Sequence, residues 1–277
     1  MFILFLFFIV ILLVYMWKIE PYQLIQKHVQ LYSEDISQMV IVQFSDTHIK
    51  RNSLAQMKRV VQTINAQHPD IIVFTGDLFD CYEKTADMKQ DVIHQFQQLH
   101  ANIQKIAIFG NHDIGGKAIN VYRDIMEEAG FIVLCNQIYI NAKHHISILG
   151  MDDACVGFED LKLADTRYQP FQILLSHEPD IADWINRSNT DLILSGHTHG
   201  GQVYIPLLCS CFLPRKGKKY RKGCYHLSNA TLFVSSGIGT TRLPFRLCNP
   251  AEYTLIHICK HPMRKMREMD YTHMNEF

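Results

Sequence analysis

The sequence has no excess of charge of either sign. Its 277 residues include 27 lysines and arginines and 27 aspartates and glutamates, so the formal net charge at pH 7 is zero. Proteins that bind nucleic acid without sequence specificity usually carry a clear positive charge. The charge balance therefore argues against nucleic acid as a partner.

The sequence also lacks a CxxC pair and a compact group of cysteines. Its eight cysteines are scattered along the chain. Disulfide-rich secreted domains and closed zinc sites use closely spaced cysteines, so neither is expected here. Cys209 and Cys211 lie close together, and we interpret them as loop or strand cysteines. Scattered thiols suit a reducing compartment and favour a cytoplasmic catalytic domain.

The first seventeen residues, MFILFLFFIVILLVYMW, lack charge altogether. As a helix at about 1.5 Å per residue they would extend roughly 25 Å, the short end of what crosses a bilayer. No lysine or arginine precedes this run, and no small-residue cleavage site such as Ala-x-Ala follows it. We predict a retained single-pass membrane anchor over residues 1–18 rather than a signal peptide. The basic residues Lys18 and Lys27 after the run favour a cytoplasmic catalytic domain.

The rest of the chain alternates short apolar runs with longer amphipathic stretches, which is typical of an α/β fold. Residues 39–44, 53–67 and 71–75 form the pattern of a βαβ unit. Further helices are predicted over 87–99 and 117–129 and around 180–187. Further strands are predicted at 105–109 and in the segments FIVL, HISILGM, FQILLS, DLILSG, TLFVSS and YTLIHI. We expect a connector over 19–38, one α/β domain over 39–260 and a polar tail over 261–277.

Side chains that can bind metal follow five of these predicted strands. In open α/β sheets, ligands bind beyond the carboxyl ends of the strands, so these side chains are expected at one rim. Asp-x-His and His-x-His place alternate side chains on the same side of an extended backbone, where both can approach one centre. The residues are Asp46 and His48; Asp77 and Asp80; Asn111, His112 and Asp113; His177; and His197 and His199.

The ordered motifs DTH, GDLFD, GNHD, SHEPD and GHTHGGQ resemble those of the calcineurin-like metallophosphoesterase superfamily. The SHEPD, GHTHGGQ and RLPFRLCNPAE segments are similar to its membrane-associated bacterial branch. The resemblance covers about residues 40–258. It implies a double β-sandwich flanked by helices with the site at one edge, where periodicity alone favours a parallel α/β sheet.

The resemblance also implies a centre of two divalent metal ions. It implies that a hydroxide shared by the two ions attacks phosphorus. A ligand set of carboxylate, amide and imidazole without thiolate suits Mn, Fe, Zn or Co at an open catalytic site. By resemblance, the first metal is held by Asp46, His48, Asp77 and His199, and the second by Asp77, Asn111, His177 and His197.

Two further residues have catalytic roles by resemblance. His112 is expected to stabilise the phosphoryl group or donate a proton, and Asp80 is expected to orient it. Because both are present, the sequence disfavours a membrane-tethered protein that binds metal without catalysis. The expected function is therefore a metal-dependent phosphoric ester hydrolase.

The substrate is less well defined, because the family cleaves phosphomonoesters, phosphodiesters and pyrophosphate-linked lipid precursors. The basic segment 215–222 and the arginines of TTRLPFR are candidate phosphate contacts; a solvated loop and structural ion pairs are the alternatives. The anchor, the basic segment and the apolar LPFRL favour a phosphodiester or a lipid-linked phosphate, with a phosphomonoesterase and a nuclease as alternatives. The candidate substrate residues are Lys218, Lys219, Arg242 and Arg246.

Overall fold

Runs of buried apolar residues build two β-sheets of six strands each in a computed structural model that describes residues 1–185, 189–205 and 213–260. The first sheet has the strand order β1-β12-β2-β3-β4-β5. Its strands are β1 (Leu24–Tyr32), β2 (Met39–Phe44), β3 (Ile71–Phe74), β4 (Gln104–Ile108), β5 (Phe131–Leu134) and β12 (Ala251–Cys259).

The second sheet has the order β10-β11-β9-β8-β7-β6. Strands β7, β8, β9 and β11 run parallel to one another, and β6 and β10 are antiparallel to their neighbours at the two edges. The strands are β6 (Gln137–Asn141), β7 (Ile146–Gly150), β8 (Phe171–Leu175), β9 (Leu192–Ser195), β10 (Gly223–His226) and β11 (Thr231–Val234).

The two sheets pack face to face. Because successive strand residues point to opposite faces, Ile41 and Val73 of the first sheet meet residues such as Ile173 and Leu194 of the second in one buried cluster. The opposite face of the first sheet is covered by helices. This arrangement confirms the double sandwich flanked by helices and corrects the single parallel sheet that periodicity favours.

The described part of the chain contains five α-helices. Helices α2, α3 and α5 cover the first sheet, and α2 buries Met57, Val60, Val61 and Ile64 against it, as its apolar spacing predicts. The bounds are α1 (Phe2–Val14), α2 (Leu54–Asn65), α3 (Lys89–Gln97), α4 (Asn111–Gly115) and α5 (Ile119–Glu128).

Helix α1 continues through two further helical turns, so that Phe2–Tyr22 is long and apolar enough to cross a membrane. No residue of α1 is buried. The end of this segment is fixed to the domain: the amide of Arg246 donates to the carbonyl of Met16, and the buried Glu20 carboxylate accepts from the amide of Asn249. The Asn249 side chain in turn donates to the carbonyl of His199.

Two local predictions differ from the structure. The expected connector over 19–38 contains β1, which pairs in parallel with β12 along its whole length. The helix expected around 180–187 is a 3₁₀ helix over Pro179–Asp183 in its described part. Residues 186–188, the pair Cys209 and Cys211, and the expected tail over 261–277 lie outside the described residues.

Candidate metal centre

Segments that follow strands β2, β3, β4, β8 and β9 meet at one edge of the sandwich. The first two are linked directly, because Ile49 and Phe79 form a parallel bridge. These segments carry all seven residues that the sequence indicates as metal ligands, and all but Asn111 are buried. They are Asp46, His48, Asp77, Asn111, His177, His197 and His199.

One group of ligand atoms converges on the DTH and GHTHGG segments. The Nε2 atoms of His48 and His199 lie 2.9 Å apart, and His199 Nε2 lies 3.4 Å from Asp46 Oδ1. His48 Nε2 also lies 3.4 Å from Asp77 Oδ2. Asp46, His48 and His199 therefore offer three ligand atoms to one small volume.

A second group lies on the other side of Asp77. His177 Nε2 is 3.2 Å from Asp77 Oδ2, and His197 Nδ1 is 2.8 Å from Asn111 Oδ1. The rings of His177 and His197 approach edge to face, with their centres 5.0 Å apart. A single carboxylate oxygen of Asp77 thus faces a histidine nitrogen from each group.

Backbone carbonyls fix the tautomers of two of these histidines. His177 Nδ1 lies 2.7 Å from the carbonyl of Thr75, and His197 Nε2 lies 2.8 Å from the carbonyl of Arg215. A carbonyl oxygen only accepts hydrogen bonds, so these nitrogens carry the hydrogen. The opposite nitrogens are left to face the centre, which is the arrangement that metal-binding histidines adopt.

The close approach of histidine nitrogens to the Asp77 carboxylate requires a proton or a cation between the atoms. His177 Nε2 is buried without a hydrogen-bond partner and faces a carboxylate oxygen, so either a second ring proton or a metal ion must balance it. Donor atoms about 2.1 Å from a shared ion lie about 3 to 4 Å from one another. The separations around Asp77 fall in this range, and the carboxylate, amide and imidazole donors fit a divalent ion.

The electrostatics centre on Asp77. Burial would raise its pKa, but the charges and hydrogen bonds of His177 and His48 hold that pKa well below its usual value. Burial would lower the pKa of His48, but hydrogen bonds to Asp77 and Asp80 raise it to about 9. Burial lowers the pKa of His197 to about 4. The ionised Asp77 therefore draws positive charge to the centre, while His197 stays neutral and able to bind metal.

The backbone of the centre is strained. Five of the seven residues have φ between 39° and 71°, the left-handed region that side chains other than glycine rarely occupy. Each such residue costs about 1 kcal/mol or more, and such strain is concentrated at functional sites. The five are Asp46, His48, Asp77, His197 and His199.

Two glycines make room for the carboxylates. A Cβ atom on Gly196 would lie 2.3 Å from Asp46 Oδ2, and one on Gly110 would lie 2.4 Å from Asp77 Oδ1. Both distances are far below van der Waals contact. The glycines of GHTHGG and GNHD therefore allow the backbone to approach the acidic ligands closely.

The buried Asp113 carboxylate joins two of the segments that carry the predicted ligands. Its carboxylate accepts from the amides of Asp77, Leu78 and Gly110 at 2.8 to 2.9 Å, and so joins GDLFD to GNHD. Burial and the nearby charge of Asp77 raise the pKa of Asp113 to about 7. The sequence indicates Asp113 only as one of the metal-capable side chains after a strand. Its place three residues after Gly110, at the start of a helix, is the signal for this structural role.

His112 lies beside the centre, with its ring centre 4.6 Å from that of His48. Its amide donates to Asp77 Oδ1 at 2.7 Å, and its Nδ1 lies 3.0 Å from the main-chain carbonyl of Asp80. The Asp80 carboxylate instead lies 3.5 Å from His48 Nδ1 and 3.7 Å from Lys50 Nζ. The hydrogen-bond partner of the His112 ring is therefore the main-chain carbonyl of Asp80, while the role of the Asp80 carboxylate in orienting His112 stays a prediction.

Of the four candidate substrate residues, Arg246 is buried, whereas Lys218, Lys219 and Arg242 lie at the surface. Arg246 is fully buried and donates to five main-chain carbonyls, those of Ser236, Gly237, Gly239, Asn249 and Pro250. It is a structural residue, which corrects its expected substrate role. Lys219 pairs with Asp183 at 2.7 Å, and the amides of Lys218 and Lys219 bind the Asp180 carboxylate. Arg242 is exposed.

Lys50 is a cation near the centre that sequence reasoning did not connect with the site. Its ammonium donates to the carbonyl of Thr240, and its side chain is 30 % exposed. It lines a cleft together with His48, Trp17, Tyr22 and Pro244. The available signal is its position two residues after the histidine of DTH, in the same segment.

Comparison with known proteins agrees with this geometry. The calcineurin-like phosphoesterase family profile matches residues 39–201. An uncharacterized metallophosphoesterase of Bacillus subtilis, YkuE, is 39 % identical over 221 residues, which cover 78 % of this chain and 77 % of the relative. Phosphodiesterase YaeI of Escherichia coli is 27 % identical over 253 residues, covering 88 % and 92 %.

A third relative is a UDP-2,3-diacylglucosamine pyrophosphatase, LpxG of Chlamydia trachomatis. It is 28 % identical over 280 residues, covering 80 % of this chain and 84 % of the relative. The family match extends over more than half of the chain and includes the DTH, GDLFD, GNHD, SHEPD and GHTHGG segments. The chain therefore belongs to the calcineurin-like phosphoesterase family and is a metal-dependent phosphoester hydrolase.

Proposed function

We propose that the chain is a membrane-anchored phosphohydrolase with a binuclear metal centre, acting on a phosphodiester or on a lipid-linked phosphate or pyrophosphate. The observation that carries the proposal is the position of Asp77 Oδ2, 3.4 Å from His48 Nε2 and 3.2 Å from His177 Nε2. One oxygen that faces a nitrogen from each of two ligand groups suits a carboxylate that bridges two ions. The activities named for YaeI and LpxG support the substrate classes.

Each of the two groups of ligand-type side chains would hold one divalent ion. Bound divalent ions would supply Lewis acidity and a nucleophile at neutral pH. Mn, Fe, Zn and Co all suit this set of carboxylate, amide and imidazole donors. One ion is assigned to Asp46, His48, Asp77 and His199, and the other to Asp77, Asn111, His177 and His197.

His112 is assigned to proton transfer. Its Nδ1 donates to the carbonyl of Asp80, so Nε2 is the ring atom that takes up or releases a proton. The ring is half-buried next to His48, and its amide is held by the Asp77 carboxylate. The ring therefore has a fixed direction beside the centre, as a group that protonates the leaving oxygen requires.

The position of the centre relative to the anchor supports a substrate at the membrane. Trp17 and Tyr22, from the end of the anchor segment, line the same cleft as His48 and Lys50. An ammonium in this cleft suits contact with a phosphate oxygen. A phosphate ester whose remaining part lies in the bilayer would reach the centre along this cleft.

Hydrolysis by the full chain in detergent tests the catalytic part of the proposal. The protein is stripped of metal, reloaded with Mn, Fe, Zn or Co, and assayed on bis-p-nitrophenyl phosphate and p-nitrophenyl phosphate. We expect metal-dependent cleavage of the diester, and its loss by orders of magnitude in Asp77→Ala but not in Asp124→Ala, an exposed aspartate on α5. Activity on the monoester alone would contradict the diester assignment, and full activity of Asp77→Ala would contradict the centre.

Extraction of membranes tests the anchor separately. The full chain should stay with the membrane fraction at high salt and in alkaline carbonate, because an apolar helix of this length is held by the hydrophobic effect rather than by charge. A variant with two lysines in place of Phe7 and Ile11 should be released into the soluble fraction. Release of the unaltered chain would contradict anchoring without affecting the assignment of the metal centre.

A further inference from the structure

The loop formed by residues 241–245 carries an exposed apolar side chain next to the cleft. Leu243 is 61 % exposed, and Arg242 and Pro244 on either side of it are also exposed. A single exposed leucine needs no special explanation in a soluble protein. Leu243 differs from such a residue because hydrogen bonds fix the conformation of its loop and because the loop lies beside the end of the apolar N-terminal segment.

The conformation of the loop is fixed by the metal-binding segments. The side chain of Gln202, at the end of GHTHGGQ, accepts from the amide of Thr241 at 2.9 Å and donates to the carbonyl of Leu243 at 2.8 Å. The Thr241 hydroxyl donates to the Asp80 carboxylate at 3.2 Å. Arg242 is thereby held in the left-handed region with φ of 58°. The loop is built to present Leu243 outward.

The loop also lies at the foot of the anchor helix. The amide of Arg246, directly after the loop, donates to the carbonyl of Met16 at 3.0 Å, and Pro244 shares the cleft lining with Trp17. Trp17 is 46 % exposed and marks the end of the apolar run. Tryptophan at this position is typical of the membrane interface. Leu243 therefore lies close to the level at which the anchor leaves the bilayer.

Charge on this surface fits a lipid bilayer. Residues 15–22 and 241–248 contain the exposed cations Lys18 and Arg242, while Arg246 and the single carboxylate, Glu20, are both buried. An apolar surface with exposed cations and no exposed acid suits phospholipid headgroups.

We propose that the surface formed by Trp17, Arg242, Leu243 and Pro244 rests on the bilayer, with Leu243 inserted below the headgroups and Arg242 at the level of the lipid phosphates. The proposal rests on the anchor of the proposed function and adds a second contact with the membrane. The anchor helix and the Leu243 loop would together place the mouth of the cleft lined by His48 and Lys50 at the level of the lipid headgroups.

Quenching by brominated lipids tests the insertion of Leu243. The sequence contains two tryptophans, so Trp184→Phe leaves Trp17 as a marker of the anchor. Into this background either Leu243→Trp or the control Ile132→Trp is introduced; Ile132 lies on β5, at the opposite edge of the first sheet from β1. The full-length proteins are reconstituted in phosphatidylcholine and phosphatidylglycerol vesicles brominated on the acyl carbons near the headgroup.

We expect the emission added by Leu243→Trp to be quenched as strongly as that of Trp17, and the emission added by Ile132→Trp to be unaffected. Emission from Leu243→Trp that escapes the bromines while Trp17 is quenched would overturn the proposal and leave the anchor intact. Emission from Leu243→Trp that is not quenched by the bromines but changes with the protein-to-lipid ratio would overturn the proposal, because it would show that a second copy of the chain covers this surface. Failure to quench Trp17 would overturn the anchor too, while diester hydrolysis by the same samples reports on the metal centre separately.

Discussion

His177 Nε2 faces Asp77 Oδ2 at 3.2 Å, while Nδ1 of the same ring donates to the carbonyl of Thr75. Burial would lower the pKa of His177, but the carboxylate charge of Asp77 raises it well above its ordinary value. Without metal, the ring therefore holds a second proton at neutral pH. A metal ion held by Asp77 and His177 would have to displace that proton.

Metal binding should therefore release protons and strengthen as the pH rises towards the raised pKa of His177. Calorimetric titration of the metal-free protein with Mn or Zn, in buffers of different ionisation enthalpy, measures the number of protons released. His177→Ala should release fewer protons and retain less metal than the unaltered protein. The exposed His100→Ala variant should behave like the unaltered protein. Affinity that is independent of pH would contradict the position of the ion.

Asp80 and His112 should have separable effects. His112→Ala removes the ring assigned to proton transfer, so we expect kcat to fall by about 10²- to 10⁴-fold with metal content unchanged. Asp80→Asn leaves the main-chain carbonyl that holds His112 but alters the carboxylate next to His48 Nδ1. This variant should lower metal affinity more than kcat at saturating metal. Equal losses of kcat in the two variants would show that the Asp80 carboxylate, rather than its main-chain carbonyl, orients His112.

Gly196→Ala should disturb the metal centre without a change of charge. The added methyl group would lie 2.1 Å from the Ser45 hydroxyl oxygen and 2.3 Å from the Asp46 carboxylate, so metal affinity and diester hydrolysis should both fall. Gly115→Ala is the matched control, because a Cβ atom there meets no heavy atom within 4 Å. Metal content and initial rates measured for both variants distinguish the two sites. An active, fully metallated Gly196→Ala would show that the backbone relaxes to admit the methyl group.

Arg246→Met should reduce stability rather than substrate affinity. It removes a buried guanidinium that donates to five carbonyls, and we expect a loss on the order of 3 kcal/mol in the free energy of unfolding. Arg242→Met changes an exposed residue and should stay within about 0.5 kcal/mol. Chemical denaturation of both variants in detergent measures this difference. A raised KM in Arg246→Met with unaltered stability would show instead that Arg246 contacts the substrate.

The strands that sequence reasoning missed share a physical cause. β1, β6 and β10 all lie at sheet edges, where one side of the strand is open to solvent. Their polar residues, such as Gln26 and Lys27 of β1, interrupt the apolar run that identifies a buried strand. The central strands, with continuous apolar residues, were predicted within one or two residues at most ends.

The site was more predictable than the arrangement of the sheets. The seven residues that the motifs predict as metal ligands follow strands whose carboxyl ends meet, so their convergence could be inferred from the sequence. A buried parallel strand has the same apolar pattern whether a helix or a second sheet covers it, so periodicity alone could not reveal the sandwich. The choice between the carboxylate and the carbonyl of Asp80 depends on backbone geometry, which residue type does not encode.

The contact between Glu20 and Asn249 joins the N-terminal apolar segment Phe2–Tyr22 to the catalytic domain. Asn249 binds the buried Glu20 carboxylate through its amide and the carbonyl of His199 through its side chain. Cutting the chain at residue 38, where the sequence places the end of the connector, would remove β1 and Glu20 together. A shortened chain should therefore begin upstream of Glu20. A different N-terminal helix, exchanged for this one during evolution, would have to preserve this carboxylate to keep Asn249 in contact with the GHTHGGQ segment.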